Sequence, residues 1–100
     1  MIKHIVLWKL ADSAEGASKH QNALRIKEMI EALKKSIPHI VKVDVGINVN
    51  KSDAAWDVAL YSEFKSQQDL DIYQEHPEHK KVAAFIGKVR TDRAVADYEM

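Results

Sequence analysis

Hydrophobic and polar residues alternate along three stretches of the chain, and a period of two is typical of β-strands in a half-buried sheet. The first stretch covers residues 2–10, the second residues 41–49 and the third residues 56–64. Small and branched apolar residues in 94–98 indicate a fourth strand. The chain therefore predicts a sheet of four strands.

A different period separates the first two strands, because apolar residues there recur at intervals of three and four. This segment covers residues 15–35, with Asp12 or Ser13 as its helix cap and Pro38 beyond its end. Its apolar stripe consists of Ala23, Ile26, Met29, Ile30, Leu33 and Ile37. The spacing predicts one long helix with a single buried face.

Residues 73–79, with the sequence YQEHPEH, place a phenol and two imidazoles around a proline. Proline suits the first turn of a helix and disrupts a helix interior, so Pro77 opens a new helix. A short helix that begins after Ser66 should therefore end near Tyr73, and His79 should lie at the start of the next one. The two side chains either converge on a reaction site or only belong to a well-capped helix junction.

The predicted order βαββαβ gives an α+β fold, the ferredoxin-like arrangement, with a four-stranded antiparallel sheet and helices on one face. We expect one domain over residues 1–100. The first and third strands, central in that sheet, carry apolar residues on both faces. On the face without helices these are Ile5, Leu7, Ala59 and Tyr61. An identical copy is the simplest cover for such a face, so we predict a homodimer through the sheet; the alternative is a monomer with a modestly apolar face.

Composition removes several classes of function. Fifteen basic and fifteen acidic residues cancel, so no charge surplus favours nucleic acid or an anionic membrane as a partner. The chain has no cysteine and hence no disulfide framework or thiolate zinc site. The apolar run 5–8 is too short to span a bilayer, and the first residues read as a strand rather than a signal peptide. We expect a cytoplasmic protein.

We expect no metal and no cofactor. His76 and His79 have a spacing that two helical metal ligands can use, but no third ligand set accompanies them. Glu75 and Glu78 are ordinary for residues beside a helix start, and we expect His76 to act as the helix cap. A haem would need an axial ligand that faces a cavity, and nothing in the sequence favours His4 or His79 for that role.

Three blocks of the sequence resemble the stress-responsive alpha/beta-barrel (Dabb) family: residues 1–10, residues 73–79 and residues 94–98. The resemblance covers nearly the whole chain and implies a dimeric α+β barrel built from two ferredoxin-like protomers. Some members are stress-induced proteins, and one plant branch is a cofactor-free polyketide cyclase that acts by aldol condensation. In that branch the histidine matching His79 is the proposed general base, the tyrosine matching Tyr73 assists it, and a histidine matching His4 lines the cavity.

The residue types suit that chemistry. Histidine titrates near neutral pH and can accept a proton from carbon, while a phenol can donate a hydrogen bond to the developing oxyanion. The first helix carries His20, Asn22, Arg25 and Lys27, which is more polar than an acyl tunnel favours. The structural alternative is that His79 only sits near a helix start, Tyr73 packs, and His4 is a satisfied core histidine.

Two functions follow, and the sequence leaves open whether the protein is an enzyme. The first is a small homodimeric protein with catalytic residues His79, Tyr73 and His4, which binds a small carbonyl-containing or apolar metabolite. Its chemistry would be cofactor-independent enolisation or cyclisation, that of a polyketide-cyclase-like lyase or isomerase. The second is a non-enzymatic stress-response or assembly module with no small-molecule site. A cavity on the order of a few hundred Å³ that reaches His79 would favour the first, and a closed corner the second.

Overall fold

A computed structural model describes the whole chain, residues 1–100. Its elements, in chain order, are β1 (Ile2–Leu10), β2 (Ser13–Ala14), β3 (Ala17–Ser18), α1 (Lys19–Ser36), β4 (Ile40–Ile47), β5 (Val58–Phe64), α2 (Gln67–Glu75), α3 (Pro77–Val89) and β6 (Arg90–Glu99). The four long strands form one antiparallel sheet in the order β4-β5-β1-β6. The predicted ferredoxin-like α+β fold is confirmed, with a small β2–β3 hairpin added before α1. None of the three helices combines the length and the apolar character needed to cross a membrane.

The inner face of the sheet packs against the helices and forms the core. Along β1 every second residue is buried, beginning with Ile2 and ending with Leu10, as its alternating sequence predicts. The helical stripe of α1 meets this face through Ala23, Ile26, Ile30 and Leu33, which belong to the same hydrophobic cluster. His4, at 2% exposure, lies on this face within the core layer.

Helix α1 begins later than predicted, because a tight hairpin precedes it. Glu15 and Gly16 both have positive φ, 51° and 72°, and such a pair reverses the chain between β2 and β3. Ser18 then caps the helix in a reciprocal capping box with Gln21. The prediction of Asp12 or Ser13 as the cap was therefore wrong.

Three predicted strands differ from the observed ones at their ends, and one of them, β6, runs from Arg90 to Glu99 rather than over 94–98. The register of β4 against β5 shifts between Ile40 and Lys42, so Val41 is an extra residue and the alternation begins anew after it. Val49, predicted to be in this strand, lies beyond its end and is 87% exposed. Trp56 precedes β5 and lies half-buried beneath the Lys9 ammonium, 4.9 Å from its ring centre.

The junction between α2 and α3 is built as the sequence predicts. His76 Nδ1 accepts a hydrogen bond from the backbone N–H of Glu78 at 3.1 Å, and Pro77 occupies the first helical position. His76 is thus the cap of α3, as expected. Tyr73 consequently lies in the last turn of α2 and His79 in the first turn of α3.

The outer face of the sheet, the one opposite the helices, has an apolar centre with charged margins. Strand pairing places Ile5 between Tyr61 and Ala96, and Leu7 between Ala59 and Ala94. At one margin Lys3 pairs with Glu63 at 2.9 Å, and the Tyr61 hydroxyl also donates to that carboxylate. These two contacts lower the pKa of Glu63.

Candidate functional site

A cavity of about 140 Å³ lies between the helices α2 and α3 and the inner face of the sheet. His4, Tyr73 and His79 all line it, and we call it the His79 cavity. Two of its exposed lining residues, Arg90 and Arg93, lie where α3 leads into β6, which places the mouth of the cavity there. The cavity reaches His79 but is smaller than the few hundred Å³ named above.

The rings of Tyr73 and His79 are neighbours in this cavity. Their centres are 4.4 Å apart and their planes are inclined by 55°. Tyr73 is buried, and its ring also contacts Phe64 of β5 at 5.0 Å and His4 of β1 at 6.3 Å, measured between centres. The helix junction and strand β1 therefore bring together the three residues singled out in the sequence.

One hydrogen bond determines the tautomer of His79. Its Nδ1 lies 3.1 Å from the backbone oxygen of Gln74, and because a carbonyl only accepts, Nδ1 carries the proton. Burial lowers the pKa of His79, and the charge of Arg93 lowers it further, against the opposing effect of the Gln74 bond. The imidazole is thus neutral at pH 7, with a lone pair on Nε2, as a general base requires.

Tyr73 has the complementary property. Burial raises the pKa of its phenol to about 12, with the charge of Arg93 acting in the opposite direction. The hydroxyl is therefore protonated throughout the physiological range, and no group of the chain accepts its proton in a hydrogen bond. A phenol that lines the cavity beside a neutral base, with no hydrogen-bond partner in the chain, can stabilise an oxyanion formed there.

Asp97 holds the third residue, His4. The two residues are paired across β1 and β6, and the carboxylate Oδ1 lies 2.5 Å from His4 Nδ1. Because a carboxylate accepts, Nδ1 of His4 donates this hydrogen bond and Nε2 stays free of it. The bond therefore holds the orientation of the ring and keeps a proton on Nδ1. The sequence analysis did not anticipate this role of Asp97. The strand register supplies the contact, and it is not visible in the sequence.

We expect Asp97→Asn to keep the fold but to lower the free energy of unfolding by about 1 kcal/mol, since a charge-assisted bond becomes a neutral one at a partly exposed position. Urea denaturation measures that change. Nitrogen NMR of the His4 ring should also show mixed tautomers, a result that a general loss of stability does not give. Asp53→Asn, in the exposed 48–57 loop, is the matched control and should change neither quantity. An Asp97→Asn variant with one unchanged tautomer would contradict the positioning role.

The remaining residues near the cavity either have another role or were not anticipated from the sequence. His76 does not line the cavity, because its ring caps α3, and so the histidine pair of the 73–79 segment is split. Gln74 and the two arginines at the mouth had no signal in the sequence beyond their residue type. The arrangement as a whole can accept a proton from carbon and stabilise the resulting enolate.

Comparison with known proteins identifies a family and several structures with the same fold. The chain matches the family model named Dabb, described as Stress responsive A/B Barrel Domain, over residues 2–100. It is similar to a crystal structure from Bacteroides fragilis, described as a dimeric protein of unknown function and ferredoxin-like fold. The two are 40% identical with a TM-score of 0.88, over 99% of this chain and 95% of that one.

Two further relatives are more distant. The stress-response A/B barrel domain-containing protein DABB1 of Arabidopsis thaliana is 23% identical over 99 residues, which are 98% of this chain but 46% of that protein. This chain thus spans about half the length of that curated relative. The hydroxynitrile lyase of Passiflora edulis is 17% identical with a TM-score of 0.82, over 99% of this chain and 92% of that one, and shares the fold.

Proposed function

The chain belongs to the stress responsive A/B barrel (Dabb) family, and on that premise we propose that it is a homodimer in which each subunit binds a small carbonyl compound in the His79 cavity and catalyses its enolisation. One observation carries the proposal: a neutral imidazole with a free Nε2 and a protonated phenol that makes no hydrogen bond within the chain lie side by side in one cavity. The same fold serves an enzyme in Passiflora edulis, so it is compatible with catalysis.

The proposed step is a proton transfer from carbon. His79 Nε2 takes a proton from the carbon between two carbonyl groups, and the electron pair of the broken C–H bond moves onto a carbonyl oxygen. The Tyr73 hydroxyl donates a hydrogen bond to that oxygen as its charge develops. Return of a proton from His79 to carbon restores the ketone. His4, held by Asp97, takes no part in the proton transfer and forms part of the cavity wall.

The size of the cavity limits the substrate. A cavity of about 150 Å³ is enough to hold a molecule of the size of benzene. At about 140 Å³, the His79 cavity suits a short carbonyl compound rather than a long poly-β-keto chain. We therefore restrict the proposal to enolisation and do not extend it to cyclisation of such a chain.

Deuterium exchange tests the reaction directly. Acetoacetate in D₂O should incorporate deuterium at the methylene carbon between its ketone and its carboxylate faster with the protein than in buffer. Proton NMR follows the loss of the methylene signal. Tyr73→Phe keeps the ring that packs on Phe64 and removes only the hydroxyl, and we expect the catalysed rate to fall about a hundredfold. Tyr61→Phe, which removes a phenol from the outer face of the sheet, is the control.

The outcomes separate the two functions considered from the sequence. A catalysed rate that Tyr73→Phe leaves intact would remove the phenol from the mechanism. Exchange no faster with the protein than in buffer would instead favour a non-enzymatic stress-response or assembly module.

The homodimer is supported by the apolar centre of the outer face and by the dimeric relative from Bacteroides fragilis. Stable interfaces bury about 800 Å² per partner. The outer face spans all four strands, and Ile5 and Leu7 of β1 with their neighbours on β5 and β6 form its apolar centre. Pairing two such faces about a two-fold axis would give the barrel of the family name.

A further inference from the structure

Two arginines at the mouth of the His79 cavity have no acidic partner. Arg90 and Arg93 line the cavity, and none of the nine salt bridges of the chain includes either of them. Two acidic residues of the same strand have other partners, since Asp97 holds His4 and Asp92 accepts the backbone N–H of Arg93. Two guanidinium groups are therefore available to a bound molecule.

The charge of the cavity lining is one-sided. Its ionisable residues are His4, Tyr73, His79, Arg90 and Arg93. No aspartate or glutamate is among them, although acidic and basic residues are equal in number along the chain. A concave surface with charge of one sign attracts a ligand of the opposite sign.

We infer that the ligand of the His79 cavity carries a carboxylate, which Arg93 and Arg90 bind at the mouth while its carbonyl group lies beside Tyr73 and His79. This inference rests on the proposed function and narrows it to short 3-oxo carboxylates. Arginine is suited to the role because its planar fork can bind both oxygens of a carboxylate. Binding at the mouth would also orient the reacting carbon toward the base.

The strand register supports this placement. Arg93 is paired with Trp8 and Asp97 with His4, so Arg93 shares the inner face with the His4 ring, four residues along the strand. Four residues of strand extend about 13 Å, which the long arginine side chain partly spans. The charge of Arg93 also lowers the pKa of both His79 and Tyr73, so its field extends over the two reacting rings.

A matched pair of ligands tests the inference. Acetoacetate and acetylacetone both have a methylene between two carbonyls and are similar in size, but only the first has a carboxylate. Each is titrated into the full-length protein while the ring signals of His79 are followed by NMR. We expect acetoacetate to bind about tenfold more tightly, and Arg93→Gln to abolish that preference.

Two controls accompany the titration. Arg25→Gln removes the same charge from the exposed surface of α1 and should leave the preference intact. Added salt should weaken acetoacetate binding and not acetylacetone binding, which serves as the test if Arg93→Gln does not fold. Arg90→Gln should lower the affinity for acetoacetate about threefold, less than Arg93→Gln, because Arg90 lies farther from the rings along β6.

The outcomes distinguish this inference from the proposed function. If both compounds bind equally and neither Arg93→Gln nor salt changes the ratio, the cavity is a carbonyl site and the carboxylate assignment is wrong. If neither compound perturbs the His79 signals, the proposed function and the inference fail together.

Discussion

His79→Gln should lower the catalysed exchange rate of acetoacetate by about a hundredfold or more, the effect expected for removal of a general base. Glutamine keeps a polar side chain of similar length and can still donate to the Gln74 carbonyl, but it cannot take up a proton. The measurement is the same deuterium exchange, compared at equal protein concentration.

The pH dependence of the wild-type rate gives a second readout. Only the neutral imidazole accepts a proton, so the rate falls when His79 becomes protonated on acidification. Because burial lowers its pKa, this decline should have its midpoint below the ordinary histidine value of 6.5. The His79→Gln variant should lack the decline.

His76→Gln is the matched control for this prediction. His76 belongs to the same seven-residue segment but caps α3 outside the cavity, so its loss should reduce stability and leave the exchange rate per folded molecule unchanged. A His79→Gln variant that exchanges as fast as the wild type would exclude His79 as the base, whatever the cavity binds.

Leu7→Glu should convert the dimer into a folded monomer. Leu7 lies between Ala59 and Ala94 at the centre of the outer face, and the two-fold axis would bring two glutamates into one interface. Each unpaired buried charge costs about 3–5 kcal/mol and the interface would hold two, so the dissociation constant should rise more than about ten-thousandfold. Light scattering at micromolar concentration should then give 11.4 kDa in place of about twice that mass.

Leu24→Glu provides the comparison for this experiment. Leu24 is 46% exposed on α1, away from the sheet, so the same substitution there should leave the dimer intact. Circular dichroism of both variants checks that the protomer still folds. A Leu7→Glu protein that remains dimeric would show that the outer face is not the interface.

The sequence predicted those features that depend on neighbouring residues. The bounds of β1 follow from strict alternation, and Pro77 begins α3 directly after the cap residue His76, which places Tyr73 and His79 in adjoining turns. Both features arise within a few residues of the chain, where steric and capping preferences decide the conformation. Together they predicted that Tyr73 and His79 lie on either side of one helix junction.

The features that were missed depend on residues distant in sequence. The bulge at Val41 and the pairing of His4 with Asp97 are set by how one strand aligns with another, and alternation alone does not fix that register. The start of α1 was missed for a local reason, since Glu15 is an unusual residue at positive φ and gave no turn signal before Gly16. The catalytic roles of the three cavity residues stay predictions until exchange is measured.

Strand β6 serves two surfaces at once. Ala94 and Ala96 face outward beside Leu7 and Ile5, while Arg93 and Asp97 lie on the inner face beside Trp8 and His4, and Arg93 lines the cavity. Gain or loss of a single codon just before residue 93 would invert this assignment, turning charges toward the neighbouring copy and alanines toward the ligand. In related proteins, insertions and deletions should therefore lie before the first residue of β6, or change its length by an even number of residues. Because one strand forms both surfaces, a change in its register alters the dimer interface and the cavity together.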